Sequence, residues 1–182
     1  FKVKERYQIE NEKLEKYIKK KNPKRIIFTN KVNKKAKIKL SSSSQKSVVG
    51  WMKKDALYIS ANNGGRVYCY DADSLFSNLQ DVEYIDVSYL DISKCTTATY
   101  MFAFSPKLKQ IKGLNRLDFS HIKNMCALFT GCKSLEELDV TWWNTERVTD
   151  MGAVFMNCYN LETIRGLETW NTSNVRYMTS MF

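Results

Sequence analysis

Five phenylalanines mark a repeat in this sequence and constrain its fold more than any other feature. They follow one another at spacings of 26, 27, 26 and 27 residues, at Phe76, Phe102, Phe129, Phe155 and Phe182. Leu, Met or Val precedes each of them, and aliphatic residues follow the first four at six and nine positions. An apolar pattern that recurs every ~20–50 residues is typical of stacked units, because one unit cannot bury its apolar face alone. The sequence therefore predicts a solenoid over residues 71–182.

Within one unit, the apolar spacing predicts a short strand followed by a short helix. SLEELDV (134–140) has the spacing of a strand, and VTDMGAVF (148–155) has apolar residues at the helical positions i, i+3 and i+7. The longer units contain an extra residue and a glycine, Gly113 or Gly166, which predicts a bulge or a wider turn. The predicted fold class is therefore α/β, with a parallel sheet on one side of 26–27-residue units and short helices on the other.

Residues 47–70 predict a β-hairpin that caps the first unit. Apolar runs are interrupted there at residues 53–55 (KKD) and 62–65 (NNGG), and Asn-Gly and Gly-Gly are the residues that tight hairpin turns require. The end of a solenoid has to be covered, and a hairpin can do this. We expect a capping hairpin between the N-terminal segment and the repeats.

Residues 1–46 form a predicted basic N-terminal segment with a helix and a strand. The helix is predicted over residues 2–21 and ends at Asn22-Pro23, the strand is predicted at residues 25–29, and SSSS (41–44) predicts a loop. The apolar residues of the predicted helix lie along one stripe: Val3, Tyr7, Leu14, Tyr17 and Ile18.

The net charge of +10 belongs to this first quarter of the chain. Residues 1–47 contain 16 Lys and Arg against 4 Asp and Glu, whereas residues 48–182 contain 13 against 15. A basic segment can anchor a protein to nucleic acid or to another polyanion. No RNA-binding motif with stacking aromatic residues accompanies the lysines, so nucleic acid is a disfavoured partner.

The sequence contains no arrangement of residues typical of catalysis. His121 is the single histidine, and neither a glycine-rich phosphate loop nor a cluster of carboxylates at metal-binding spacing occurs. We therefore expect a protein that is not an enzyme, with no cofactor, no metal and no small-molecule substrate.

The five cysteines are spread over several units and are not paired as C-x-x-C motifs. Cys69 and Cys95 share one column of the repeat, Cys132 and Cys158 share another, and Cys126 stands alone. This spacing disfavours zinc. Stacked columns bring thiols within disulfide distance, but in-register side chains seldom point correctly, so free thiols that fill the core are expected.

One face of the predicted sheet is the candidate binding surface. Its charges alternate in sign from unit to unit at Asp86, Lys112, Asp139 and Arg165. Since neighbouring strands lie about 4.8 Å apart, these charges can pair along the column. Such pairing can set the register of the units or form a ligand-binding face, and both interpretations stay open. The candidate binding residues are Tyr84, Asp86, Lys109, Gln110, Lys112, Glu137, Asp139, Trp142, Thr163 and Arg165.

WNTSNVRYMTSMF (170–182) resembles the repeat of the bacterial surface leucine-rich-repeat family typified by the BspA adhesin. The resemblance is strong over residues 71–182 and looser over residues 47–70. Two early units depart from it, with Ala72 and Ala98 in place of Met, and Leu79 and Ser105 in place of Cys. The resemblance implies a leucine-rich-repeat solenoid and adhesion to proteins of a host or a neighbouring cell.

The predicted function is thus a non-catalytic protein-interaction or adhesion module of a bacterial surface or secreted protein. One alternative is a scaffold module that docks through its basic N-terminal segment, and another is anchoring of residues 1–46 to a polyanion. Because the sequence begins at Phe1 and ends at Phe182 directly after a predicted helix, we expect a longer parent protein. More repeats or a partner should cover the last unit, and self-association through that open end is a further expectation.

Overall fold

The computed structural model describes residues 7–42 and 47–182. The described residues form one α-helix, ten short strands and two 3₁₀-helices. The helix α1 spans Asn11–Lys21, and the 3₁₀-helices span Leu114–Arg116 and Leu167–Thr169. The strands are β1 (Arg25–Phe28), β2 (Ile38–Lys39), β3 (Val48–Lys53), β4 (Ala56–Ala61), β5 (Val67–Tyr68), β6 (Tyr84–Asp86), β7 (Leu90–Asp91), β8 (Gln110–Lys112), β9 (Glu137–Asp139) and β10 (Thr163–Arg165).

The strands are divided among three sheets. The largest has the order β2-β3-β4-β1-β6-β8, and β5/β7 and β9/β10 form two separate pairs. Strands β3 and β4 form an antiparallel hairpin, whereas β1 is parallel to both β4 and β6. In this arrangement Ile26 lies opposite Leu57 on one side and Ile85 on the other. The N-terminal segment therefore supplies a central strand of the main sheet.

The predicted N-terminal helix is shorter than its apolar stripe suggests. Residues 2–6, including Val3, lie outside the described residues, as do residues 43 and 44 of the predicted serine loop. Tyr7 and Ile9 precede the helix and bond to Tyr68, with the Ile9 N–H donating to the Tyr68 carbonyl oxygen at 2.9 Å. These bonds form a parallel bridge between Gln8 and Tyr68, and Glu10 is extended, so α1 begins only at Asn11.

The prediction of a leucine-rich-repeat solenoid with short helices is wrong. The structure is a set of mixed sheets, only about a tenth of it is helical, and the one α-helix of the described residues lies outside the repeats. The hairpin does not cap the first repeat strand either, because β1 lies between β4 and β6.

Backbone hydrogen bonds explain why the predicted helix at residues 148–155 does not form. The N–H groups of Met151, Ala153 and Phe155 donate to carbonyl oxygens of residues 177, 179 and 181, at 2.7–2.9 Å. Ala153 has φ +55°, which lies outside the helical region. Consecutive tight turns thus produce the same i, i+3, i+7 apolar spacing as a helix, but their N–H groups bond to the next unit.

The core is organised by the phenylalanines of the repeat. Units 1 to 5 are numbered here by Phe76, Phe102, Phe129, Phe155 and Phe182, and the ring centroids of successive units lie 5.4–5.9 Å apart. Phe28 of β1 packs edge-on against Phe76 at 5.9 Å. Leu14 and Ile18 of α1 are buried in the same core. The N-terminal segment and the repeats therefore share one hydrophobic core.

Candidate functional site

A groove of about 610 Å³ lies over the ends of β6, β8, β9 and β10. Six of the ten candidate binding residues line it: Asp86, Gln110, Lys112, Glu137, Asp139 and Arg165. Ser88, Tyr89, Asn115 and Arg116 line it as well. We call this feature the sheet-face groove.

Strand register brings these side chains together. In β6 and β8, Asp86 lies opposite Lys112, and in β9 and β10, Asp139 lies opposite Arg165. The middle residue of each strand is directed to the core, and Ile85 and Leu138 are buried. Because side chains alternate along a strand, the residues on either side of the middle one face away from the core.

The ion pairs of the groove follow the predicted column only in part. Lys112 Nζ lies 3.5 Å from Asp86 Oδ2, as the alternating signs predict. Arg165 instead pairs with Glu137 at 3.2 Å, in the adjacent column. Asp139 accepts hydrogen bonds from Asn115 Nδ2 at 3.0 Å and from the backbone N–H of Thr141 at 3.1 Å. The long Arg165 side chain thus reaches the more exposed carboxylate.

Four candidate residues do not line the groove: Tyr84, Lys109, Trp142 and Thr163. Tyr84 is half-buried, and this burial raises the pKa of its hydroxyl. Trp142 is 83% exposed and has φ +76°, so its side chain is open to solvent as the sequence predicts. Lys109 pairs with Glu83 at 3.0 Å, and the two residues directly precede β8 and β6.

The sequence interpretation missed Asn115 and Arg116. Both belong to the 3₁₀-helix Leu114–Arg116, which directly follows Gly113 at φ +77°. The extra residue and glycine of this unit predicted a wider turn, and that turn carries the two side chains into the groove. Arg116 is exposed and takes part in none of the ion pairs of the described residues. The extra residue and Gly113 thus predicted the turn, but the repeat pattern did not predict that this turn lies over the groove.

The cysteines are free thiols, as predicted. Burial raises the pKa of Cys132 to about 12 and that of Cys158 to about 11. Both thiols are therefore protonated near neutral pH and poorly nucleophilic. Within residues 7–42 and 47–182, no group of three or more His, Cys, Asp or Glu residues could hold a metal ion.

The Glu83–Lys109 pair gives a pH-dependent prediction. Lys109 holds the pKa of Glu83 below its ordinary value of 4.5, so the pair stabilises the fold above that pH. This contribution is lost as the pH falls through the lowered pKa. The Glu83→Gln variant should melt about 1–2 °C below the wild type at pH 7, and the difference should vanish in acid or in 1 M NaCl.

Calorimetric melting of both proteins between pH 7 and pH 3 checks this expectation. The control is Glu136→Gln, which changes the same column of the repeat at a glutamate outside the ion pairs described above. A difference that persists unchanged at pH 3 would show that the substitution acts through packing and not through the charge.

The structure is therefore a mixed-sheet protein with a repeated sequence and a preformed charged groove. A family described as "Mycoplasma protein of unknown function, DUF285" matches residues 70–182, and the chain belongs to this family. A search of curated proteins and a search of solved structures found no match. No helix of the described residues is both long and apolar enough to cross a membrane.

Proposed function

We propose that this chain is a non-catalytic module that binds a protein partner through the sheet-face groove. The observation that carries the proposal is the convergence of Asp86, Lys112, Glu137, Asp139 and Arg165 in one groove. Neighbouring strands hold these residues in place, so little ordering is required when a partner binds.

The charges of the groove favour a specific partner over a general polyion. Lys112 and Arg165 are paired with acidic residues, which gives a surface with both signs of charge. Such a surface selects partners by complementary charge placement more than by overall attraction. Arg116 adds an exposed guanidinium without a carboxylate partner in the groove, and arginine is enriched at protein interfaces.

Charge reversal in the groove tests the proposal. The Lys112→Glu/Arg165→Glu variant should bind its partner about tenfold or more weakly, because two charges meet the partner with the wrong sign. Its melting temperature should fall by only a few degrees, since both replaced side chains are about two-thirds exposed and an exposed pair contributes about 0.2–1 kcal/mol. Most of that fall should come from the new carboxylate at Lys112→Glu, because Asp86 opposite it is only 11% exposed. Binding is measured on immobilised purified extracellular proteins, and melting by calorimetry.

The matched control reverses two exposed lysines outside the groove, as Lys94→Glu/Lys123→Glu. This variant has the same net charge as the groove variant, so it removes long-range electrostatic effects from the comparison. Equal weakening in both variants, or a large loss of stability with binding intact in the groove variant, would contradict the proposal.

The proposed setting is the surface of a bacterium or its surroundings, with adhesion to a host or neighbouring cell. The resemblance of residues 170–182 to the BspA-type surface repeat supports adhesion. The family description, which names Mycoplasma, supports a bacterial source. Self-association through the last unit is a separate prediction, which a light-scattering mass measurement tests.

Anchoring to a polyanion is a second candidate function, favoured by the surface of the N-terminal segment. Five lysines between β1 and β3 are exposed and take no part in the ion pairs of the described residues: Lys31, Lys34, Lys35, Lys37 and Lys39. A polyanion that binds there should release counterions, so its affinity should fall steeply with salt. Retention on immobilised heparin that resists replacement of these lysines by glutamine would exclude this candidate.

Docking on a larger assembly through the N-terminal segment requires a different test. Deletion of residues 1–46 would remove β1 from the centre of the main sheet and leave the edges of β4 and β6 unpaired. Such a truncated chain would lose its fold together with any docking element. The five-lysine variant keeps β1 and therefore separates docking from folding.

A further inference from the structure

Two columns of the repeat have a left-handed backbone in successive units. The first column contains Ser74, Tyr100, Ala127, Ala153 and Ser180, with φ between +54° and +56°. The second contains Asn78, Phe104, Gly131 and Asn157, with φ between +57° and +73°. Left-handed backbone is best tolerated by glycine and asparagine and costs more for bulky side chains. Units 1, 3 and 4 have small residues or asparagine in both columns.

Unit 2 departs from this rule in both columns. Tyr100 and Phe104 are aromatic, 39% and 44% exposed, and their backbones have φ +56° and +57°. Backbone strain and exposed apolar area both reduce stability, and neither is needed for the turn, since the other units form it without aromatic residues. Two exposed aromatic residues at left-handed positions, where the other units have small residues or asparagine, indicate a role other than folding.

The two rings form one continuous aromatic surface. Their centroids are 5.9 Å apart and their planes are inclined by 23°. This distance is typical of offset rings, which leave part of each ring face open to solvent. Phe104 leans towards unit 3, where an added Cβ on Gly131 would lie 3.2 Å from Phe104 Cδ1. The small residue in unit 3 therefore leaves room for the Phe104 ring.

The surroundings of the pair are mainly polar. The Asp73 carboxylate accepts the backbone N–H of Thr99 at 2.7 Å, and Lys133 Nζ lies 6.0 Å from the centroid of the Tyr159 ring. Ser74 and Asn78 occupy the two columns in unit 1, and Asn157 occupies the second column in unit 4, all of them exposed. Tyr159 is 71% exposed, and its hydroxyl bonds to Asn157 Oδ1 at 3.0 Å. A protein hot spot is usually enclosed by a ring of contacts that exclude water. Here a small aromatic surface is instead flanked by amides and hydroxyls.

From this arrangement we propose that Tyr100 and Phe104 form a saccharide-binding surface. A pyranose ring has an apolar face of C–H groups, which packs on aromatic rings, and a rim of hydroxyl groups, which bond to amide and hydroxyl side chains. The aromatic pair matches the first requirement. Ser74 and Asn78 of the adjacent unit 1 match the second, and Asn157 adds an amide two units away on the other side. This site is separate from the sheet-face groove, so the two proposals can fail independently.

The test replaces both aromatic residues with those that unit 1 has in the same columns, as Tyr100→Ser/Phe104→Asn. The probe is an array of immobilised oligosaccharides built from neutral hexoses, N-acetylhexosamines and uronic acids. We expect the wild type to bind a defined subset, and the variant to bind it about tenfold or more weakly. The melting temperature of the variant should be unchanged or higher, because asparagine tolerates left-handed backbone better than phenylalanine and exposed apolar area is removed.

The control variant Val32→Ser removes an exposed apolar side chain of the N-terminal segment and should leave saccharide binding unchanged. Three results would overturn the proposal. They are an absence of wild-type binding on the whole array, equal binding by the double variant, and a lower melting temperature of the double variant. The last would show that the aromatic pair serves the fold. If the wild type bound no oligosaccharide but bound a protein ligand at these residues, the first result would apply and the proposal would be overturned.

Discussion

Replacement of Phe129 by alanine is expected to destabilise the protein by about 3–5 kcal/mol. The ring is fully buried and lies between Phe102 and Phe155, at centroid distances of 5.4 and 5.9 Å. Trp143 also packs against it at 6.4 Å. Its removal leaves a cavity between two units whose backbones are fixed by hydrogen bonds, so the surroundings can collapse only in part. The loss is a large fraction of the ~5–15 kcal/mol that stabilises a typical domain.

Urea denaturation followed by tryptophan fluorescence measures this effect. The matched control is Tyr159→Ala, which removes an aromatic ring that is 71% exposed and should cost less than about 1 kcal/mol. Similar losses in both variants would mean that the phenylalanine column does not organise the core. A loss confined to Phe129→Ala would show that this column does.

The sequence pattern identified which residues are buried together, but not the backbone that joins them. Phe76 to Phe155 were expected in one column, and all four are buried and in ring contact with their neighbours. Apolar periodicity reports which side chains avoid water. It does not report whether an N–H group bonds four residues back or to the neighbouring unit, and at residues 148–155 the second pattern prevails.

The position of β1 in the main sheet could not be predicted from the sequence either. RIIF predicts a strand, and the structure has one at Arg25–Phe28. Its neighbours are β4, which follows it by about thirty residues, and β6, which follows by about sixty. Short apolar strands carry no information about such distant partners, because any half-buried neighbour satisfies the same pattern. The capping arrangement was therefore wrong although the hairpin strands themselves are present.

The columns of the repeat correctly predicted six side chains that line the groove, but they did not predict all the contacts of these side chains. Asp86 and Lys112 pair as their signs predict, since they are opposite one another on adjacent strands. Arg165 lies opposite Asp139 in the same way, yet its guanidinium pairs with Glu137. The repeat column predicts the backbone position of a residue. The partner of a long flexible side chain depends also on which groups it can reach and on competing hydrogen bonds. Asn115 provides that competition at Asp139.

Gly113 is expected to be the most sensitive glycine of the groove. It has φ +77°, and a Cβ atom added there would lie 2.5 Å from Ser88 Oγ and 2.8 Å from the backbone nitrogen of Ser88. Gly113→Ala should therefore destabilise the protein by about 2–4 kcal/mol, because left-handed backbone is strained for alanine and Ser88 has to move. Gly166 stands in the same situation in unit 4, with φ +88° and Thr141 N at 2.5 Å from the added atom.

The substitution should also disturb binding, since Gly113 directly precedes the 3₁₀-helix that brings Asn115 and Arg116 into the groove. Urea denaturation and the extracellular-protein assay measure the two effects on the same sample. Gly65→Ala is the control, because the nearest atoms to its added Cβ belong to the flexible Asn63 side chain and its backbone is not left-handed. If Gly113→Ala were as stable as that control and bound its partner normally, the close approach of Gly113 to Ser88 would have no part in shaping the groove. A loss of both properties would instead tie the shape of the groove to the one extra residue that distinguishes the longer units.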